Sequence, residues 1–75
     1  MISIVDLKPG QVAKVESVRA QDPLFRQKLL SMGMMPGVSV KVIRRAPFGD
    51  PIQLEVKNYC VCLRKREAQM IEVTL

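Results

Sequence analysis

Histidine is absent from this 75-residue chain, and only Phe25, Phe48 and Tyr59 are aromatic. The first absence removes the side chain that most often serves as a general base near neutral pH and as a transition-metal ligand. Ser-His and Cys-His pairs for covalent catalysis go with it, and no Ser-Lys pair or phosphate-cradling glycine loop takes their place. The shortage of rings leaves few platforms on which unpaired bases could stack. Apolar runs fall well below the roughly 18 residues that would suggest a membrane span. Met1-Ile2-Ser3 has neither the charged start nor the apolar core of a secretory signal. These absences lead us to expect a soluble, cytoplasmic protein with no catalytic constellation. Cysteine is scarce too. Cys60 and Cys62 are separated by a single residue, which on an extended strand sets their Cα atoms about 6.5 Å apart in poor geometry for a disulfide. A reducing compartment suits them.

What is present is a small, basic, apolar-rich chain. Seventy-five residues make one domain, expected to span 1–75, and a chain of this size buries only about 60% of its unfolded surface. The 12 Lys and Arg against 7 Asp and Glu give a net charge of +5. Such a balance favours anionic partners or acidic surfaces.

The order of turn signals and alternating segments describes a mainly β protein. Lys8-Pro9-Gly10 is a turn, and Gln11 to Val18 reads as a strand whose apolar residues Val12, Ala13, Val15 and Val18 fall on both faces, as in a tightly curved small barrel. Asp22 can cap a helix that begins at Pro23. Phe25, Leu29 and Met32 then share one face, and Gly33 closes the helix. Pro36-Gly37 has the fixed φ and the positive φ of a type II turn. Three alternating strands follow, at Val38–Arg45, Ile52–Lys57 and Tyr59–Leu63, with Ala46-Pro47-Phe48-Gly49-Asp50-Pro51 as a turn between the first two. A helical turn near Arg64–Ala68 and a closing strand near Met70–Val73 complete the chain. The expected architecture is a small SH3-like barrel of about five strands, closed or partly open, with one short helix between strands 1 and 2.

Three stretches in this order resemble the FeoA family: Arg26-Gln27-Lys28-Leu29-Leu30-Ser31-Met32-Gly33-Met34-Met35-Pro36-Gly37, then Ala46 to Pro51, then Leu63-Arg64-Lys65-Arg66-Glu67-Ala68 with Ile71-Glu72-Val73. A lone Leu-x-x-Met-Gly or Pro-Gly is a weak signal; the conjunction over nearly the whole chain is a specific one. The resemblance implies a small cytoplasmic SH3-like protein of bacterial ferrous iron transport. It further implies a role assisting FeoB, a membrane transporter with a cytoplasmic G-protein domain, by protein contact, with the membrane involved only indirectly. A monomer or weak homo-oligomer is expected. A related module ends some metal-dependent repressors, but 75 residues leave no room for their DNA-binding and dimerisation parts.

Several residues are candidates for work beyond folding. Met32 lies on the apolar helix face and belongs to the core, whereas Met34 and Met35 border the turn and are candidates for an exposed interaction surface. Phe48 sits at a loop tip, where aromatic side chains often anchor interfaces, and Asp50 beside Gly49 can accept backbone hydrogen bonds. Lys41, Arg44, Arg45, Arg64, Lys65 and Arg66 form either one docking patch or an ordinary solvated face, and Arg64 and Lys65 are the partner-binding candidates among them. Cys60 and Cys62 place two thiols on one strand face, a candidate half of a transition-metal site for Fe2+ or Zn2+ that needs oxygen donors such as Asp50, Glu55 or Glu67 to be brought near. The rival reading is a small basic nucleic-acid-binding barrel; the few aromatic residues and the moderate charge argue against it.

Overall fold

Alternation builds the sheet, and two bulges decide how it curves. The computed structural model describes residues 2–75. Its strands are β1 (Ile2–Ser3), β2 (Val12–Val18), β3 (Ser39–Arg45), β4 (Ile52–Val56), β5 (Tyr59–Leu63) and β6 (Ile71–Thr74). A 3-10 turn at Ile4–Asp6 and the helices α1 (Pro23–Ser31) and α2 (Lys65–Ala68) join them. The sheet is antiparallel throughout, in the order β1-β6-β2-β3-β4-β5. The mainly β, SH3-like fold expected from the sequence is the fold found. One strand was not anticipated: Ile2–Ser3 pairs with Val73 and Glu72 and places β6 inside the sheet. No ladder between β1 and β5 closes the sheet among the described residues, so it is open rather than a closed barrel.

The bulges explain the mixed patterning of β2 and β3. Between Val15 and Ser17 the register against β6 shifts by one residue. Ala13, Val15 and Val18 therefore all reach the core despite their uneven spacing, while Val12 stays exposed. Ile43 is the extra residue of the second bulge, since Val42 opposes Leu54 and Arg44 opposes Gln53. Beyond it parity flips. Arg45 pairs with buried Ile52 on the inner side, where its guanidinium donates to the carbonyls of Val5 and Leu7, the latter at 2.5 Å. The bulge thus ties β3 to the 3-10 turn through a cation.

Local signals set α1 as the sequence requires. The Asp22 carboxylate accepts the Leu24 N–H at 3.0 Å, with Pro23 at the first helical position. Leu29 is fully buried, Phe25 and Met32 pack against the core, and Arg26 donates to the Val18 carbonyl at 2.6 Å, fastening the helix to β2. At the other end the Gly33 N–H donates to Leu30 O at 3.0 Å and the Met34 N–H to Leu29 O at 3.2 Å. These are the two bonds of a Schellman closure. The turn that follows is bonded from Val38 N–H to Met35 O at 3.1 Å with Gly37 at φ +93°, the type II geometry of its Pro-Gly pair.

Candidate functional site

The clearest exposed anchor comes from the turn joining β3 to β4. Proline at 47 and 51 removes ladder donors and forces the chain to turn. The Ala46 N–H donates to Pro51 O at 3.0 Å and the Gly49 N–H to Ala46 O at 2.7 Å. Phe48 stands at the tip, 97% exposed. A third bond ties the turn to a distant part of the chain: Asp50 Oδ1 accepts the Lys65 N–H at 3.0 Å. The pairing of Ile52 with Leu63 brings these segments together, because each lies next to one member of that pair. Phe48, Asp50, Arg64 and Lys65 therefore gather at one end of the sheet. Arg64 and Lys65 are exposed there.

Glu67 supports this end from beneath. Its side chain is almost wholly buried, Oε1 accepting the Arg64 N–H at 2.8 Å and Oε2 the Lys28 Nζ at 3.0 Å. Burial pushes the carboxyl pKa up, but the Arg64 amide, the Lys28 hydrogen bond and charge, and the Arg66 charge together hold it below the ordinary value. A folded-state pKa below the unfolded one contributes stability above the unfolded value. That stability is lost as pH falls from about 4.3 through the lower folded value. Glu67→Gln is expected to lower the unfolding free energy by about 1–2 kcal/mol at pH 7, and the gap to the parent should shrink by pH ~3. Urea unfolding at the two pH values checks this; an equal gap at both would show that the carboxylate charge is not involved.

The remaining candidates separate. Met34 is a correction: it is fully buried, not presented at the turn, because its place in the Schellman closure directs it into the core with Leu29. Met35 is half exposed, but it precedes β3 whereas the Phe48 turn follows it, so the two lie at opposite ends of that strand. The basic residues do not make one patch. Arg45 is held inward, Arg44 donates from Nε to Gln53 at 3.0 Å and Lys41 lies opposite Glu55, while Arg64 and Lys65 stand at the Phe48 end. Cys60 and Cys62 are free and exposed on β5, opposite Glu55 and Gln53 respectively. Among the described residues no group of three or more His, Cys, Asp or Glu is placed to hold a metal, so Asp50 and Glu67 do not complete a site with these thiols. Their oxygens are engaged with Lys65, Arg64 and Lys28 instead.

Sequence reasoning passed over two surface residues. Leu24 is 77% exposed at the start of α1. Its helical neighbours at i+4 and i+7 are Lys28 and Ser31, both exposed, which is the signal that marks it as outside the apolar stripe. Tyr59 donates its hydroxyl to Met32 O at 3.2 Å, lying over Gly33 at the end of α1. An open groove of about 580 Å³ lies elsewhere, along Glu16, Arg19 and Leu75, and includes none of the candidate residues. No helix among the described residues is long and apolar enough to cross a membrane.

The FeoA domain family matches residues 2–75. The Fe(2+) transport protein A/Fe(2+) transporter FeoB fusion protein of Porphyromonas gingivalis is 34% identical over 70 residues, which are 93% of this chain and 8% of that protein. The chain thus spans less than a tenth of that relative's length. The solution structure of iron(II) transport protein A from Clostridium thermocellum superposes with a TM-score of 0.91 at 36% identity, covering 99% of this chain and 45% of that one. The FeoA protein from Chlorobium tepidum gives 0.89 at 36% identity, covering 99% of this chain and 70% of that one.

Proposed function

The chain belongs to the FeoA family, and from that premise we propose that it is a non-catalytic accessory of ferrous iron transport. It acts on the cytoplasmic side by docking on the G-protein part of a FeoB-type transporter. The observation that carries this reading is Phe48, almost fully exposed on a turn bonded internally and to α2. An aromatic side chain carried on a backbone already fixed by hydrogen bonds spares the cost of ordering the loop when it enters a pocket, which is how small interfaces gain affinity. Arg64 and Lys65 at the same end supply positive charge that steers the encounter with an acidic surface. The relative in which transport protein A and FeoB are parts of one chain supports a partnership between the two modules.

The test is calorimetric titration of the transporter's isolated cytoplasmic domain with this protein. Phe48→Ala is expected to weaken binding at least ~30-fold, the effect of losing an interface anchor worth about 2 kcal/mol. Replacing Arg64 and Lys65 by Ser should slow association and flatten its dependence on salt. Undiminished affinity in Phe48→Ala would place the contact on another surface. No binding by the parent protein would exclude this partner.

A further inference from the structure

We propose that β5 is a docking edge, on which an extended segment of the partner protein, apolar at its centre and acidic at its ends, adds as one more strand of the sheet. The inference rests on the transporter-docking reading above and says how that contact is made: by backbone pairing along β5 that leads into the Phe48 end.

The edge is open. β5 pairs only with β4, and the two are joined through just Lys57 and Asn58, with Val56 opposite Tyr59. In a two-residue hairpin the closing pair exchanges backbone hydrogen bonds, and bonded and non-bonded pairs then alternate along the ladder. Tyr59, Val61 and Leu63 therefore direct their amides and carbonyls toward β4. Cys60 and Cys62 direct theirs away from it, and among the described residues no backbone group from another element meets them there. The next outward amide, that of Arg64, is already taken by Glu67 Oε1 at 2.8 Å, which ends the free stretch.

The edge also lacks protection. Edge strands are kept from pairing by charge, by proline or by being very short. The opposite edge, β1, has two residues. β5 is Tyr59-Cys60-Val61-Cys62-Leu63, five residues without a charge or a proline. Such an edge is the template used in strand addition, where main-chain bonds give affinity and alternate side chains give specificity.

The side chains around the edge say what fits it. Val61 is only partly buried and packs on the margin of the core, so an incoming apolar residue opposite it, on the same face, extends that core. Charge brackets the strand at both ends: Lys57 precedes it and Arg64 and Lys65 follow it, all exposed. The acidic groups nearby are engaged, Glu55 facing Lys41 across the ladder, Asp50 holding the Lys65 amide and Glu67 bound to Lys28. A second copy of this chain is the wrong occupant. Antiparallel pairing of two β5 strands about Val61 would lay Lys57 of each copy beside Arg64 and Lys65 of the other, and parallel pairing would lay Arg64 and Lys65 beside themselves. Like charges set opposite one another destabilise a strand pair, whereas an acid-flanked strand meets a cation at each end. The last residues of β5 lead to Arg64, Lys65 and the Phe48 turn, so the added strand and the aromatic anchor form one continuous surface.

The experiment follows amide hydrogen exchange residue by residue in the reduced full-length protein, alone and bound to the transporter's isolated cytoplasmic domain. The Cys60 and Cys62 amides should exchange freely in the protein alone and at least ~10-fold more slowly in the complex, while the Val61 amide, bonded to β4, is protected in both. The partner segment protected with them should carry Asp or Glu beside an apolar residue. Cys62→Pro removes one outward N–H from an edge strand and should weaken binding about 10-fold, whereas Cys62→Ser keeps that N–H and should bind as the parent does. Binding by the parent with both cysteine amides still exchanging freely overturns strand addition and leaves the docking reading standing. No binding by the parent overturns both. A protected partner segment without an acidic residue overturns the proposal, as does protection of these amides in the protein alone that rises with its concentration, which would seat a second copy on the edge.

Discussion

Met34→Ala is expected to lower the free energy of unfolding by about 2–5 kcal/mol, the range for truncating a buried large side chain to Ala. Met35→Ala, one residue away, should change it by no more than about 0.5 kcal/mol. The difference follows from where the helix closure leaves each side chain. Met34 donates its N–H to Leu29 O and sits at zero exposure in the core that holds Leu29, Val40, Val42, Val56 and Ile71. Met35 follows the closure, carries the carbonyl that accepts the Val38 N–H, and is 52% exposed. Removing the Met34 thioether chain leaves a cavity that the surrounding strands cannot collapse to fill, whereas the Met35 side chain gives up only solvent-facing contact. Parallel urea denaturation of the two variants measures this, since the midpoint moves with stability at constant slope. In a domain of this size each 1 kcal/mol corresponds to about 4–8 °C in midpoint temperature, so Met34→Ala should be visibly less stable at 37 °C. Equal effects in the two variants would contradict the burial on which the argument rests.

Gly33→Ala is the second change with a large expected effect, about 2–3 kcal/mol, from two sources that can be separated. Gly33 has φ +93°, a conformation in which a side chain is strained by about 1–2 kcal/mol. A Cβ there would also overlap the Tyr59 hydroxyl and stand 3.4 Å from its Cζ. The ring can swing aside because it is partly exposed, but doing so gives up its hydrogen bond to Met32 O, worth about 0.5–1.5 kcal/mol. Tyr59→Phe alone should lose only the second contribution. In a Tyr59→Ala background Gly33→Ala should cost about 1–2 kcal/mol, the backbone share, and the double-mutant cycle gives the coupling. Full additivity of the two substitutions would mean that Tyr59 does not rest on Gly33.

The resemblance to the FeoA family and the local elements were legible because both depend on short stretches. The Asp22-Pro23 cap, the Gly33 closure and the Pro36-Gly37 turn each appear where their residues call for them. The same closure carried further would have placed Met34 correctly. The residue after the left-handed glycine regularly packs against the helix's last buried position, here Leu29, so its side chain was never free to face solvent. At the candidate docking end, Phe48 could be singled out as an aromatic residue at a loop tip. Its union with Arg64 and Lys65 could not, because it rests on an Asp50 to Lys65 bond across fifteen residues.

What the sequence determined by itself is therefore the set of parts: the capped helix, the turns, most of the strands, and a pair of cysteines on one strand face. Tertiary structure decided which side of those parts faces what. A single extra residue at Ile43 reverses parity and sends Arg45 inward to the Val5 and Leu7 carbonyls, withdrawing it from the surface charge. The shift between Val15 and Ser17 brings Val18 into the core by the same means. The strand order leaves β5 at an edge with Cys60 and Cys62 exposed. Propensity and capping act over three or four residues and can be read locally. Register, bulges and edges depend on which strand lies alongside, and that is settled only when distant segments bury a common core.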